Sequence, residues 1–156
     1  MRALFRKGNP HATPEEIERL VSERLSRQER LRGDTPPDYW AILDEAILRR
    51  GVGGPGVMPD QLAFLLPLVD TSRTTIQVIP FDVGEYAGMS GTIILLTLPD
   101  NSTTVYQEGG GIGEIFDDRE TVARRLRDYD RMKACTLSPE ESAALIEAAM
   151  ENFKPC

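Results

Sequence analysis

Apolar side chains at Ile17, Leu20, Val21, Leu25 and Leu31 recur at helical spacing, with Glu and Arg residues between them. That pattern predicts an amphipathic helix with one face turned inward and the other in water. The helix starts at Thr13-Pro14-Glu15-Glu16, where Thr13 can cap, Pro14 fits the first turn and Glu16 can close a capping box. It stops at Gly33 and Asp34-Thr35-Pro36-Pro37, because consecutive prolines cannot continue it. Tyr39 to Glu45 is aromatic and branched, which predicts a strand, with Glu45 to Arg50 able to turn helical. Gly51 to Gly56 holds four glycines and a proline, a loop whose backbone can approach other groups closely. A second helix, Met58 to Val69, places Leu62, Leu65, Leu66 and Val69 on one face and is kinked by Pro67.

Ile76 to Phe81 is a further strand, ended by or edged at Pro80, and a glycine-containing loop from Gly84 to Gly91 follows. Thr92 to Leu98 and Thr103 to Glu108 form a hairpin around Pro99-Asp100-Asn101-Ser102. After a loop from Gly109 to Gly113, two helices close the chain, Asp118 to Ala134 and Ser138 to Phe153, the latter with a cap signal of its own in Ser138-Pro139-Glu140-Glu141. The order predicts an α+β fold, one central, mainly antiparallel sheet of about four strands with helices packed against it, in a single domain over residues 1–156. Phe64, Phe81, Phe116, Tyr129 and Phe153 are most simply its core residues, although an apolar pocket would use the same types.

Composition narrows the partners more than the fold. With 40% hydrophobic and 28% charged residues the chain is expected to fold, and its net charge of -7 opposes nucleic acid, whose binding draws on Lys and Arg. Arg2, Arg6 and Lys7 are locally basic and fit a solvated end. No apolar run approaches a bilayer span and Met1 to Pro10 lacks the apolar stretch of a secretion signal, so a cytoplasmic protein with no membrane contact is expected. Cys135 and Cys156 form no CxxC pair and Cys156 is expected to be an exposed free thiol; His11 is the single histidine. No metal site, no cofactor and no serine-histidine triad is therefore expected.

Several segments together resemble one known family. They are Arg24-Leu25-x-Arg27-Gln28, Leu43-Asp44-Glu45-Ala46-x-Leu48-Arg49, Gly53-Gly54, Met58-x-x-Gln61-Leu62, Ile76 to Phe81, the spaced glycines 84, 88 and 91, Val105-Tyr106-x-Glu108, and Leu137-Ser138-Pro139-Glu140-Glu141-Ser142. In this order they resemble the C-terminal domain of unknown function of actinobacterial Xre-type helix-turn-helix transcriptional regulators, the WhiJ-like, antitoxin-like group. Members usually carry a DNA-binding module first; this chain is expected to lack it. Tyr86 stands where the family commonly has histidine, so a ligand contact by that histidine does not carry over, and Gly109-Gly110-Gly111 is richer in glycine than usual.

The candidate ligand-binding residues are Glu45, Arg49, Met58, Gln61, Tyr106 and Glu108. Glu45 and Arg49 lie four apart, so on a helical turn they either pair with each other or point together into a pocket as an acid and a fork-shaped anion binder. Met58 and Gln61 follow the glycine loop at a helix start, where unpaired amides favour an anion; the plain alternative is a helix start with Met58 filling the core. Tyr106 and Glu108 alternate on one strand and share a face, which suits either a polar pocket or an exposed sheet surface. Were Glu45 and Glu108 to meet, repulsion would raise one of their pKa values. The Gly109 to Gly113 run is not GxGxxG, and no acidic residue follows at the dinucleotide-binding distance.

The resemblance implies a ligand-sensing or protein-interaction domain of a regulator of development or secondary metabolism, its partner a small-molecule ligand or a small partner protein. The alternative is a stand-alone, metal-independent cyclase or isomerase of secondary metabolism, using Glu45, Glu108 or Tyr106 for acid-base work. A third possibility is a homodimerisation module, favoured if the stripe of the first helix is exposed.

Overall fold

The computed structural model describes residues 1–31, 33–54 and 56–153; Cys156 lies outside them. Six α-helices and five strands are present among those residues, an α+β arrangement as the alternation of periods predicts. They group into two compact units, Met1–Val78 together with the chain from Leu137 onward, and Ile79–Thr136. The strands do not form one sheet of about four. They divide into a two-stranded parallel sheet in the first unit and a three-stranded antiparallel sheet in the second.

In the first unit α1 (Arg2–Gly8) precedes α2 (Pro14–Gln28), and Arg2 reaches across to Glu18 with a 2.7 Å hydrogen bond from Nη2. The capping box forms as the sequence predicts: the Glu16 N–H donates to Thr13 Oγ1 and the Thr13 N–H to Glu16 Oε2. The apolar stripe of α2 is buried only in part. Ile17 and Val21 are covered, whereas Leu25 is exposed, as is Leu31 in the 3-10 turn Glu29–Leu31 that ends the predicted helix, because packing reaches only the first half of α2.

Strand β1 (Tyr39–Asp44) is joined to β2 (Thr74–Ile79) through α3 (Ala46–Arg49) and α4 (Val57–Leu65), the helical crossover that parallel strands need. The kink at Pro67 takes the form of a 3-10 turn, Leu66–Leu68. The side of β2 facing away from β1 is taken up by other segments of the chain. Its backbone bonds to Val69 and Thr71, the Leu137 N–H donates to the Val78 carbonyl, and the Val78 N–H donates to the buried Ser142 Oγ at 3.0 Å. These contacts block extension of the sheet on the β2 side. Those last bonds lay α6 (Pro139–Glu151) beside β2, and Ile146 and Ala149 complete a core with Leu48, Met58, Leu62, Val69, Ile76 and Val78.

The second unit is a meander of β3 (Thr92–Thr97), β4 (Thr103–Gly109) and β5 (Ile112–Phe116), followed by α5 (Arg119–Ala134). The first hairpin closes between Leu98 and Ser102, with Asn101 left-handed at φ 64°, a conformation asparagine tolerates. The second was expected to be loop. Gly110 and Gly111 both have positive φ, the condition for a two-residue type I′ turn, so Gly109 to Gly113 is a hairpin and not an open loop. Of the five aromatics expected in the core, Phe64 and Phe81 are exposed instead, Phe64 because two residues after the buried Leu62 it lies on the opposite face of α4, and Phe81 because it starts a 3-10 turn beyond the end of β2; Phe116, Tyr129 and Phe153 are half-buried.

Two caps make folding sensitive to acid. The Ser138 backbone N–H holds the Glu141 carboxylate below its ordinary pKa, and the Thr121 N–H does the same for Asp118. A carboxylate depressed in the folded state stabilises above its unfolded pKa, and that stability is lost as pH falls through the folded value. The thermal midpoint should therefore fall between about pH 5 and about pH 2.5. It should fall less in a variant carrying Asp118→Asn and Glu141→Gln, and an undiminished pH dependence in that variant would show that other carboxylates govern acid unfolding.

Candidate functional site

Glu45 and Arg49 are brought together by α3, one turn long, which follows β1 directly. The Asp44 side chain accepts from the Ala46 N–H at 2.7 Å and so helps fix the turn from strand to helix. Glu45 is only 6% exposed, and Arg49 donates to its Oε1 from both Nε, at 2.9 Å, and Nη2, at 2.6 Å. One edge of the guanidinium is thus fixed on a buried carboxylate while the Arg49 side chain remains 42% exposed. Nη1 has no hydrogen-bond partner among the described residues. A buried charge without a partner is costly, so Glu45 holds Arg49 firmly and leaves an oriented cationic donor at the surface.

Two residues beyond Arg49 the glycine loop begins. Gly53, Gly54 and Gly56 have φ of 89°, 98° and 86°, values a side chain would resist. The loop leads into α4, whose N-cap Gly56 offers no side-chain acceptor to the first amides. Gly51, Gly54, Gly56, Met58, Pro59 and Phe153 line a cavity of about 240 Å³. Met58 fills the core, as the plainer of its two readings has it, and also borders this cavity. Gln61, one turn further on, is exposed.

Tyr106 and Glu108 belong to the second unit and share one face of β4, as strand alternation predicts. The Tyr106 hydroxyl donates to Glu108 Oε2 over a long 3.3 Å. The Tyr106 ring lies across Gly113 of β5: a β-carbon there would stand 2.3 Å from the hydroxyl oxygen. The aromatic thus covers the gap left by a side-chain-free strand position. The same face carries Ile94, Leu96 and Ile115, all exposed.

A further surface was not anticipated. Asp38, Tyr39, Trp40, Thr71, Ser72, Arg73 and Thr75 surround a second cavity of about 200 Å³ at the start of β1 and β2. Trp40 donates from Nε1 to Gln77 at 2.9 Å, and Arg73 bridges to the Pro36 carbonyl and Asp38. Consecutive aromatics one residue after two prolines, in Pro36-Pro37-Asp38-Tyr39-Trp40, were the available signal. Neither cavity is lined by Glu45, Arg49, Gln61, Tyr106 or Glu108. No cluster of three or more His, Cys, Asp or Glu among the described residues is placed to hold a metal, and no described helix is long and apolar enough to cross a membrane.

The family model described as "Domain of unknown function (DUF5753)" matches residues 1–148. No curated protein and no solved structure matches the chain.

Proposed function

The chain belongs to the DUF5753 family, and from that premise we propose that it is the sensing or protein-interaction domain of a cytoplasmic helix-turn-helix regulator of development or secondary metabolism. It answers to an acidic group carried by a small ligand or a small partner protein. The observation that carries this reading is the guanidinium of Arg49, held by the buried Glu45 just before the glycine loop, with no hydrogen-bond partner for Nη1 among the described residues. A fixed planar fork recognises a carboxylate or phosphate at a lower ordering cost than a free side chain. The left-handed glycines and the uncapped first amides of α4 add donors of the kind that anions select.

Size supports recognition of a group more than enclosure of a whole molecule. A cavity of about 240 Å³ is smaller than the roughly 300 to 1,000 Å³ of pockets that enclose drug-sized ligands. Met58 and Gln61 would then contact the apolar and polar parts flanking the acid. Tyr106 and Glu108 sit on an open sheet face, a setting that suits contact with a partner better than chemistry that must exclude water. In the chain fused to its DNA-binding module, Arg49→Ala should abolish the response to the effector and leave operator binding intact; a normal response would remove this site from the account.

A further inference from the structure

We infer that the open edge of β3 is a self-association surface, on which a second copy of this chain lays its own β3 antiparallel to continue the sheet. This is separate from the acid-recognition reading and does not depend on it. Antiparallel ladders alternate pairs that exchange hydrogen bonds with pairs that do not. The Leu98 N–H bonds to the Ser102 carbonyl, so with the observed register Leu96, Ile94 and Thr92 direct their backbone groups to β4. Ile93, Leu95 and Thr97 must direct theirs outward. No described residue hydrogen-bonds to them on that side.

Edges left open in this way are ordinarily protected by charge or proline. The opposite edge of the same sheet, β5, has the charged Glu114 and is only five residues long. Strand β3 has no such protection: Thr92-Ile93-Ile94-Leu95-Leu96-Thr97 contains no charge and no proline. Its sequence also fits itself. With Leu95 opposite Leu95 of the second copy, the outward amides of each strand meet the outward carbonyls of the other, Ile93 faces Thr97, and Ile94 faces Leu96. That register places Ile94 and Leu96, which are 43% and 50% exposed, on one continuous apolar strip with the same residues of the second copy. No like charges are opposed, whereas a partner strand rich in charge would find no complement here. A second copy is therefore the occupant this edge fits best.

Sedimentation of the whole chain from low micromolar to several hundred micromolar should show a reversible monomer–dimer equilibrium. The variant carrying Ile94→Lys and Leu96→Lys opposes lysines across the joint and should weaken the dimer on the order of a hundredfold. A variant carrying Leu25→Glu and Leu31→Glu, which alters the exposed end of α2 and the 3-10 turn after it, should dimerise as the parent does. In the unmodified chain, amide exchange at Ile93, Leu95 and Thr97 should slow as concentration rises, while Ile94 and Leu96 stay protected at every concentration. A monomer throughout overturns the inference, as does a dimer that survives the lysines or is lost with the α2 variant. If the lysine variant fails to fold, the exchange pattern decides alone, and concentration-independent exchange at the three outward amides overturns it.

Discussion

Replacing Ile146 with alanine is expected to cost about 3 kcal/mol of folding stability, within the 2 to 5 kcal/mol typical of such truncations in a closed core. Ile146 is wholly buried, and its neighbours come from α3, α4, β2 and the 3-10 turn after α4, elements that cannot all move inward to fill the space it leaves. Its helix is also fastened to β2 through the Ser142–Val78 bond and the 2.7 Å bond from Gln77 to the Leu137 carbonyl, so α6 cannot slide to repack. Domains of this kind are stable by roughly 5 to 15 kcal/mol, so the loss is a large share of the total. Urea unfolding measures it directly. Leu25→Ala, at an exposed position on α2, should stay within about 0.5 kcal/mol of the parent, and equal effects at the two positions would contradict the core described above.

Arg49→Ala separates stability from function. Removing the arginine strips two hydrogen bonds from a buried carboxylate, but Arg49 is itself 42% exposed and water can reach part of the vacated space. The expected cost is therefore about 1 to 2 kcal/mol, below the 3 to 5 kcal/mol of a fully buried pair. The response to the effector should nevertheless disappear, because the oriented donor is gone. Arg49→Lys keeps the charge without the planar fork and should restore only a small part of the response. Full activity in the lysine variant would mean that charge alone, and not the held geometry, is what the site offers.

Much of this arrangement is legible in the chain because local signals and packing agree. Thr13 and Ser138, each followed by proline and two glutamates, start α2 and α6 where the capping geometry places them. Asp118 marks α5 in the same way. The Glu45–Arg49 spacing gives the pair that forms. What the chain does not announce depends on contacts distant in sequence. The sheet of β1 and β2 is closed on the β2 side by Val69, Thr71, Leu137 and Ser142, and no local pattern records that. Helix α1 buries no residue and is held by α2, so it lacks an apolar stripe to betray it. Strand β5 was legible in principle: paired glycines between β-favouring runs are a turn signal, obscured by the third glycine beside them. The surface around Tyr39 and Trp40 was missed because aromatics in a strand suggest core, and their exposure is decided by what fails to cover them.

The most direct test of the central claim is a nuclear magnetic resonance titration of the chain with inorganic phosphate, the simplest probe for an oriented guanidinium beside a glycine loop. Saturable shifts are predicted for the Arg49 side-chain signals and for the amides of Gly51, Gly53, Gly54 and Gly56, and these shifts should vanish in Arg49→Ala while the rest of the spectrum keeps its dispersion. Shifts that persist unchanged in Arg49→Ala, or an unmodified chain whose Arg49 and loop signals do not move, would contradict the account.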